Sequence, residues 1–149
     1  MGEQNKYKFG SYGYIAMRNL KSAERNLKID ADVVVYNSQQ AVEKILKEYI
    51  KATYFNADIE SILHTHKLHL LVKKSGIDEL SDFKSDIADL SNYYFDGRYP
   101  GIGYEEVTQE DALRLFNAAK QIVSIVEDKI PGQQTGTSQL KKLNFFNDN

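Results

Sequence analysis

The sequence contains no cysteine among its 149 residues, which excludes disulfide bonds and thiolate metal sites. This composition is compatible with a reducing compartment, and we predict a cytoplasmic protein. No apolar run approaches the roughly 20 residues that a membrane-spanning helix needs. The first ten residues, MGEQNKYKFG, lack the apolar core of a secretory signal. We therefore expect no membrane association.

Motifs for cofactors are also missing. The glycines of GRYPGIG, residues 97–103, follow a predicted helix, whereas a dinucleotide-binding glycine motif follows a strand. No segment alternates apolar and polar residues convincingly enough to predict a strand. We predict neither a bound cofactor nor a metal.

Charge is distributed unevenly along the chain, although its net value is only −2. Residues 1–75 carry 12 basic and 8 acidic side chains, whereas residues 76–130 carry 5 and 12. Such a balance excludes a generally nucleic-acid-binding protein. It leaves two interpretations open, a local basic face in the first half or two halves that face each other within a fold or dimer.

Apolar residues recur at helical spacing and predict an all-α domain over residues 1–130, an up-and-down bundle of four to five helices. The predicted helices cover residues 11–28, 31–55, 66–74, 79–95 and 108–130. Residues 56–61 are predicted to form a loop. The segment 131–149 is polar and rich in Gly, Thr and Ser at its start, which predicts a flexible tail.

Side chains suited to helix N-caps precede three of the predicted helices. Either Asp30 or Asp32 can cap the second helix, Thr65 the third and Thr108 the fifth, because their oxygens accept bonds from the free N–H groups there. At the other end of the third helix, Gly76 is a natural C-terminal residue.

All three histidines lie in one short segment, at His64, His66 and His69. His66 and His69 are three residues apart and could share a helix face, where zinc could use them with a carboxylate. No HExxH pattern is present and no further ligand is identified. We favour local packing or capping at a helix start over metal binding.

Three lysines of the second helix, Lys44, Lys47 and Lys51, form a stripe at helical spacing. They could contact phosphates. We favour a solvated helix face, with Glu43 and Lys47 as an i,i+4 pair worth only tenths of a kcal/mol.

The aromatic loop YFDGRYPGIGYEEVT, residues 94–108, also admits two interpretations. Tyr99 and Tyr104 beside Arg98 could stack on bases. Alternatively, Pro100 fixes a turn and the aromatic rings cover one end of the bundle.

Three motifs in order resemble the HEPN family of small all-α bacterial and archaeal proteins. They are NSQQAVEKILKEYI in the second helix, HKLHLL at the start of the third, and RYPG before the fifth. The resemblance implies a helical bundle that dimerises, often paired with a nucleotidyltransferase-like antitoxin, or a domain that binds nucleotides or RNA. It also implies a polar cleft, for which the candidates are the side chains of Gln40, Glu43, Lys47, Arg98 and Tyr99.

Active HEPN toxins are metal-independent ribonucleases with an arginine, four to six residues and then a histidine. Here Arg98 would require histidine at position 103, 104 or 105, where Gly103, Tyr104 and Glu105 stand. The resemblance therefore implies a non-catalytic HEPN-type dimer. The alternative is a divergent ribonuclease that uses Arg98 with Tyr104 or Glu105 as a substitute base, although a tyrosine with a pKa near 10 is a poor base.

Overall fold

The computed structural model describes residues 5–55, 58–96 and 106–132. For residues 93–96 it describes the backbone and not the side chains. Those ranges contain helices and no strand, which confirms the predicted all-α class. The α-helices are α1 (Tyr12–Arg25), α2 (Ala31–Thr53), α3 (Glu60–Leu63), α4 (Leu68–Ser75), α5 (Lys84–Asp96) and α6 (Gln109–Lys129), with a 3-10 helix at Asp78–Phe83.

Several helix boundaries differ from the predictions. The predicted loop 56–61 is wrong at its end, because α3 begins at Glu60. The predicted fourth helix is divided, since residues up to Phe83 form a 3-10 helix and the α-helix begins at Lys84. The predicted third helix, residues 66–74, corresponds to α4 and begins later than predicted, at Leu68. Thr65 Oγ1 accepts a bond from Lys67 N at 3.2 Å in a turn before α4, so Thr65 does not cap that helix.

Capping side chains fix the start of the three long helices. Asp30, rather than Asp32, caps α2, since its carboxylate accepts bonds from the backbone N–H groups of Asp32 and Val33. Thr108 caps α6 by accepting from Asp111 N at 3.0 Å, as predicted. Ser11 caps α1 in the same way. Each cap satisfies N–H groups that have no partner within the helix.

The core forms around α2, which packs against α1, α4, α5 and α6. Its residues Val34, Ala41, Ile45 and Ile50 are fully buried. Fully buried residues from the surrounding helices complete the core and include Ala16, Ala23, Leu68, Leu71, Leu90, Leu115 and Ile122. A helix that is buried on several sides holds whatever polar groups it carries in fixed positions.

The segment before α1 folds back over the bundle. The hydroxyl of Tyr7 donates a 2.8 Å hydrogen bond to Glu127 on α6, and the Tyr7 ring is buried. The Tyr7 ring lies so close to α1 that a Cβ at Gly13 would come within 2.6 Å of Tyr7 Cγ. Glycine is thus required at position 13, because any larger residue would collide with the Tyr7 ring. Burial and the bond to Glu127 raise the pKa of Tyr7, so its hydroxyl remains a donor.

The prediction of a flexible tail at residues 131–149 falls almost wholly outside the described residues, which end at Gly132. The division of the chain into a domain and a tail stays a prediction.

We expect Gly13→Ala to destabilise the protein by about 1–3 kcal/mol, because overpacking outweighs the gain of about 1 kcal/mol in helix propensity. Urea denaturation measures the change. In a Tyr7→Ala background the clash is gone, so the same substitution should become stabilising. Equal or greater stability of the single variant Gly13→Ala would contradict the close packing.

Candidate functional site

A group of polar side chains lies along one side of α2, inside the bundle. Gln39, Glu43 and Lys47 recur every four residues, and they are 0%, 0% and 3% exposed. We call the group the polar cluster, and its members are Gln39, Gln40, Glu43, Lys44, Lys47 and His66.

The carboxylate of Glu43 is the centre of the polar cluster. Its Oε2 accepts hydrogen bonds from Lys44 Nζ at 2.8 Å and Lys47 Nζ at 3.1 Å. Its Oε1 accepts from Gln39 Nε2 at 3.4 Å. His66 Nδ1 lies 3.3 Å from both oxygens. The carboxylate therefore has polar partners on each oxygen, as a buried charge requires.

Two further bonds join the glutamines to this centre. Gln40 Nε2 donates to Gln39 Oε1 at 2.6 Å, and Lys44 Nζ donates to Gln40 Oε1 at 3.2 Å. The Lys47 ammonium also lies 5.9 Å from the ring centroid of Tyr12 on α1, within the range of a cation–π contact. The first turn of α1 thus forms one wall of the cluster.

Burial of Glu43 acts to raise its pKa, but the hydrogen bonds and positive charges of Lys44 and Lys47 outweigh burial, and the pKa is lowered. Glu43 is therefore ionised at neutral pH. With two ammonium groups on one carboxylate, the cluster carries a surplus of positive charge even when His66 is neutral.

The cluster has a buried base and an accessible edge. The side chains of Glu43 and Lys47 are 0% and 4% exposed, whereas those of Lys44 and His66 are 18% and 55% exposed. A ligand at this edge would meet the Lys44 ammonium, the Gln40 amide and the His66 ring. An anionic group is the one that the surplus charge favours.

The structure brings together three of the five predicted ligand-binding residues, Gln40, Glu43 and Lys47. Arg98 and Tyr99 lie outside the described residues, as do Tyr104 and Glu105 of the alternative mechanism. Their roles stay predictions.

The interpretation of Lys44, Lys47 and Lys51 as a solvated face is wrong for Lys47, whose side chain is 4% exposed. It holds for Lys51, which is exposed. The Glu43–Lys47 pair is correspondingly a buried pair. Removing one partner of such a pair costs several kcal/mol, far more than tenths.

His66 is a member of the cluster that the sequence did not reveal. It is 23 residues from Glu43, and no spacing rule connects the two. His66 and His69 do not share a helix face, because His66 precedes α4, which begins only at Leu68. Across the described part of the chain, no three His, Asp or Glu side chains are grouped so that they could hold a metal ion.

A family model named HEPN domain matches residues 13–129 of this chain. Neither the comparison with curated proteins nor that with solved structures found a match. Within the described ranges, no helix has the length and apolar character needed to cross a membrane.

We expect Glu43→Gln to lower the free energy of unfolding by about 3 kcal/mol at pH 7, because two lysines then face a neutral amide. Urea denaturation measures this change. Glu110→Gln is the matched control, since Glu110 is exposed in the first turn of α6. A loss no larger than that of the control would contradict a central role for the carboxylate.

The same pair of proteins gives a pH test. The pKa of Glu43 is lower in the folded protein than its ordinary value. The ionised carboxylate therefore contributes its full stabilisation of the fold at pH values above that ordinary value. That contribution disappears as pH falls through the folded-state pKa. The stability difference between wild type and Glu43→Gln should therefore shrink on acidification from pH 7 towards about pH 3. A difference independent of pH would show that the charge is not responsible.

Proposed function

This chain belongs to the HEPN domain family, and we propose that it is a non-catalytic member, a cytoplasmic homodimer that binds a nucleotide or RNA ligand, a partner protein, or both. At the level of the family, membership supports a nuclease-associated, toxin-associated or binding role. HEPN domains commonly dimerise. By resemblance, the partner would be a nucleotidyltransferase-like antitoxin.

The observation that carries the ligand proposal is the accessible edge of the polar cluster. Lys44 and Gln40 are bonded to each other at 3.2 Å, and Lys44 is bonded to the buried Glu43 at 2.8 Å. Because these bonds fix the ammonium before any ligand arrives, little side-chain entropy is lost on binding. A phosphate would find a held cation, a hydrogen-bonding amide and an imidazole.

Arg98 would add the second cation. A guanidinium binds a phosphate or a carboxylate through two parallel hydrogen bonds. Its loop follows α5, and α5 packs against α2, the helix that carries the cluster. This connection supports a shared ligand for Arg98 and Lys44, with Tyr99 stacking or packing beside it.

We expect adenine and guanine nucleotides to raise the melting temperature of the protein, since a ligand that binds only the folded state stabilises it by about 1.4 kcal/mol at ten times its Kd. Lys44→Ala and Arg98→Ala should each reduce that rise. Lys51→Ala is the control, because Lys51 is exposed, makes no bond within the polar cluster and lies about two turns from Lys44 on the same helix. The proposal fails if the wild type gains no stability or if both variants gain as much.

A second candidate function is ribonuclease activity, and one observation favours it. His66 is held against a carboxylate at 3.3 Å while its side chain is 55% exposed, an arrangement that can orient an imidazole for proton transfer. Arg98 would stabilise the phosphate charge. Tyr104 and Glu105 are the other candidate bases.

Incubation of labelled RNA with purified protein and a chelator separates the two functions. We expect uncut RNA, because no histidine follows Arg98 at the spacing that active members use. Cleavage by the wild type and not by Arg98→Ala would establish the ribonuclease instead. His66→Ala, Tyr104→Phe and Glu105→Gln would then identify the group that transfers the proton.

A further inference from the structure

A second surface lies on the opposite side of α1 from the polar cluster. Tyr12 contacts Lys47 of the cluster, whereas Tyr14 lines a groove of about 740 Å³ between α1 and α6. Residues two apart on an α-helix project about 200° apart, so the two surfaces are separate. The groove uses no residue of the polar cluster.

The groove is basic, although the whole protein has a net charge of −2. Its acidic lining residues are Glu24 and Glu127, and Glu127 is bonded to Lys6 at 2.9 Å. Its basic lining residues are Lys6, Arg18, Lys21, Arg25 and Lys120. The groove thus has three more basic than acidic side chains, a surplus that attracts a polyanion.

Three of the cations form a regular row along α1. Arg18, Lys21 and Arg25 follow one another at spacings of three and four and are all exposed. At 1.5 Å per residue, the row extends roughly 10 Å along the helix. Lys120 of α6 lies on the facing wall. An extended chain of phosphates could contact cations along the row and across the groove.

An aromatic side chain stands at the edge of this groove. The Phe9 ring is 83% exposed, and its centroid lies 5.0 Å from that of Tyr14. The guanidinium carbon of Arg18 also lies near this ring, 5.9 Å from the Tyr14 centroid. A large apolar ring left in water beside a row of cations offers a face on which a base can stack.

The segment that carries Phe9 is fixed rather than free. Asn5 Nδ2 donates to Tyr14 O at 3.0 Å, and the Tyr7 hydroxyl donates to Glu127 at 2.8 Å. Gly10 has φ of 80°, the left-handed conformation that glycine adopts readily, and Ser11 N bonds to Lys8 O across the turn. The backbone on both sides of Phe9 is therefore held in place, which keeps this residue at the edge of the groove.

We propose that the groove between α1 and α6 binds single-stranded nucleic acid, with phosphates on Arg18, Lys21, Arg25 and Lys120 and an unpaired base on Phe9. The aromatic face favours nucleic acid over an acidic peptide. It favours a single strand over a duplex, whose bases already stack on one another. This inference does not depend on the nucleotide site at the polar cluster, because the two share no residue.

The test is fluorescence anisotropy of a labelled single-stranded RNA of mixed sequence with the full chain. The charge-reversal variant Arg18→Glu/Arg25→Glu should weaken binding at least about tenfold and flatten the dependence of Kd on salt. Lys51→Glu/Lys67→Glu is the matched control, since both lysines are exposed and outside the groove. Phe9→Ala should weaken binding about 5- to 100-fold, as removal of a base-stacking ring does.

Three results would overturn the proposal. One is no RNA binding by the wild type at about 100 µM, the weak end of ordinary non-specific affinity. Another is equal loss in the groove variant and the lysine control. The third is equal affinity for duplex, single strand and polyglutamate with no effect of Phe9→Ala, which would assign the groove to polyanions in general.

Thermal denaturation and circular dichroism of each variant check that it is folded, and Arg18→Gln/Arg25→Gln provides a milder change that should give an intermediate loss. Nucleotide-induced stabilisation should be unaltered in the groove variant. Loss of RNA binding with nucleotide stabilisation retained supports the groove alone. Retained RNA binding with loss of nucleotide stabilisation would contradict both the groove proposal and the separation of the two sites.

Discussion

The ionised carboxylate of Glu43, buried beneath two lysines, is the interaction on which the candidate site depends. A carboxylate without water must be paired, and Lys44 and Lys47 supply both its counter-charge and two of its hydrogen bonds. Because α2 is packed by its neighbours, these groups cannot rearrange freely. The helix that forms the core thereby also fixes the charges that face a ligand.

Much of the fold follows from local rules that a sequence displays directly. Apolar spacing located the long helices. The cap at Thr108 was predicted from the oxygen that its side chain offers to free N–H groups, whereas the sequence left Asp30 and Asp32 as alternatives for α2. The burial of Lys47 could not be predicted in this way, because helical spacing alone does not say which faces neighbours will cover. His66 was missed for a related reason, since its contact with Glu43 joins residues that are 23 apart.

The contacts of the segment before α1 also could not be predicted from local sequence rules. In its sequence, NKYKFG, lysines alternate with the aromatic residues Tyr7 and Phe9, yet Tyr7 is buried and Phe9 is left exposed beside Tyr14. The close approach of the Tyr7 ring explains why residue 13, the second residue of α1, is glycine. This segment precedes residues 13–129, which match the family model. Phe9, the aromatic edge of the groove, therefore lies outside the match on which the family assignment rests.

The ion pairs show how the unevenly distributed charges of the sequence are arranged in the fold. Arg114 bonds to Asp86 and Asp89, and Lys129 bonds to Glu79, so these pairs lie within the acidic half of the chain. Lys6 joins the halves through Glu127. The row of cations on α1 is exposed and lines a groove whose other wall is α6, a helix of the acidic half. The exposure of the α1 cations agrees with the interpretation of a local basic face, and the basic groove is where such a face would act. The interpretation in which the two halves face each other across a dimer stays a prediction.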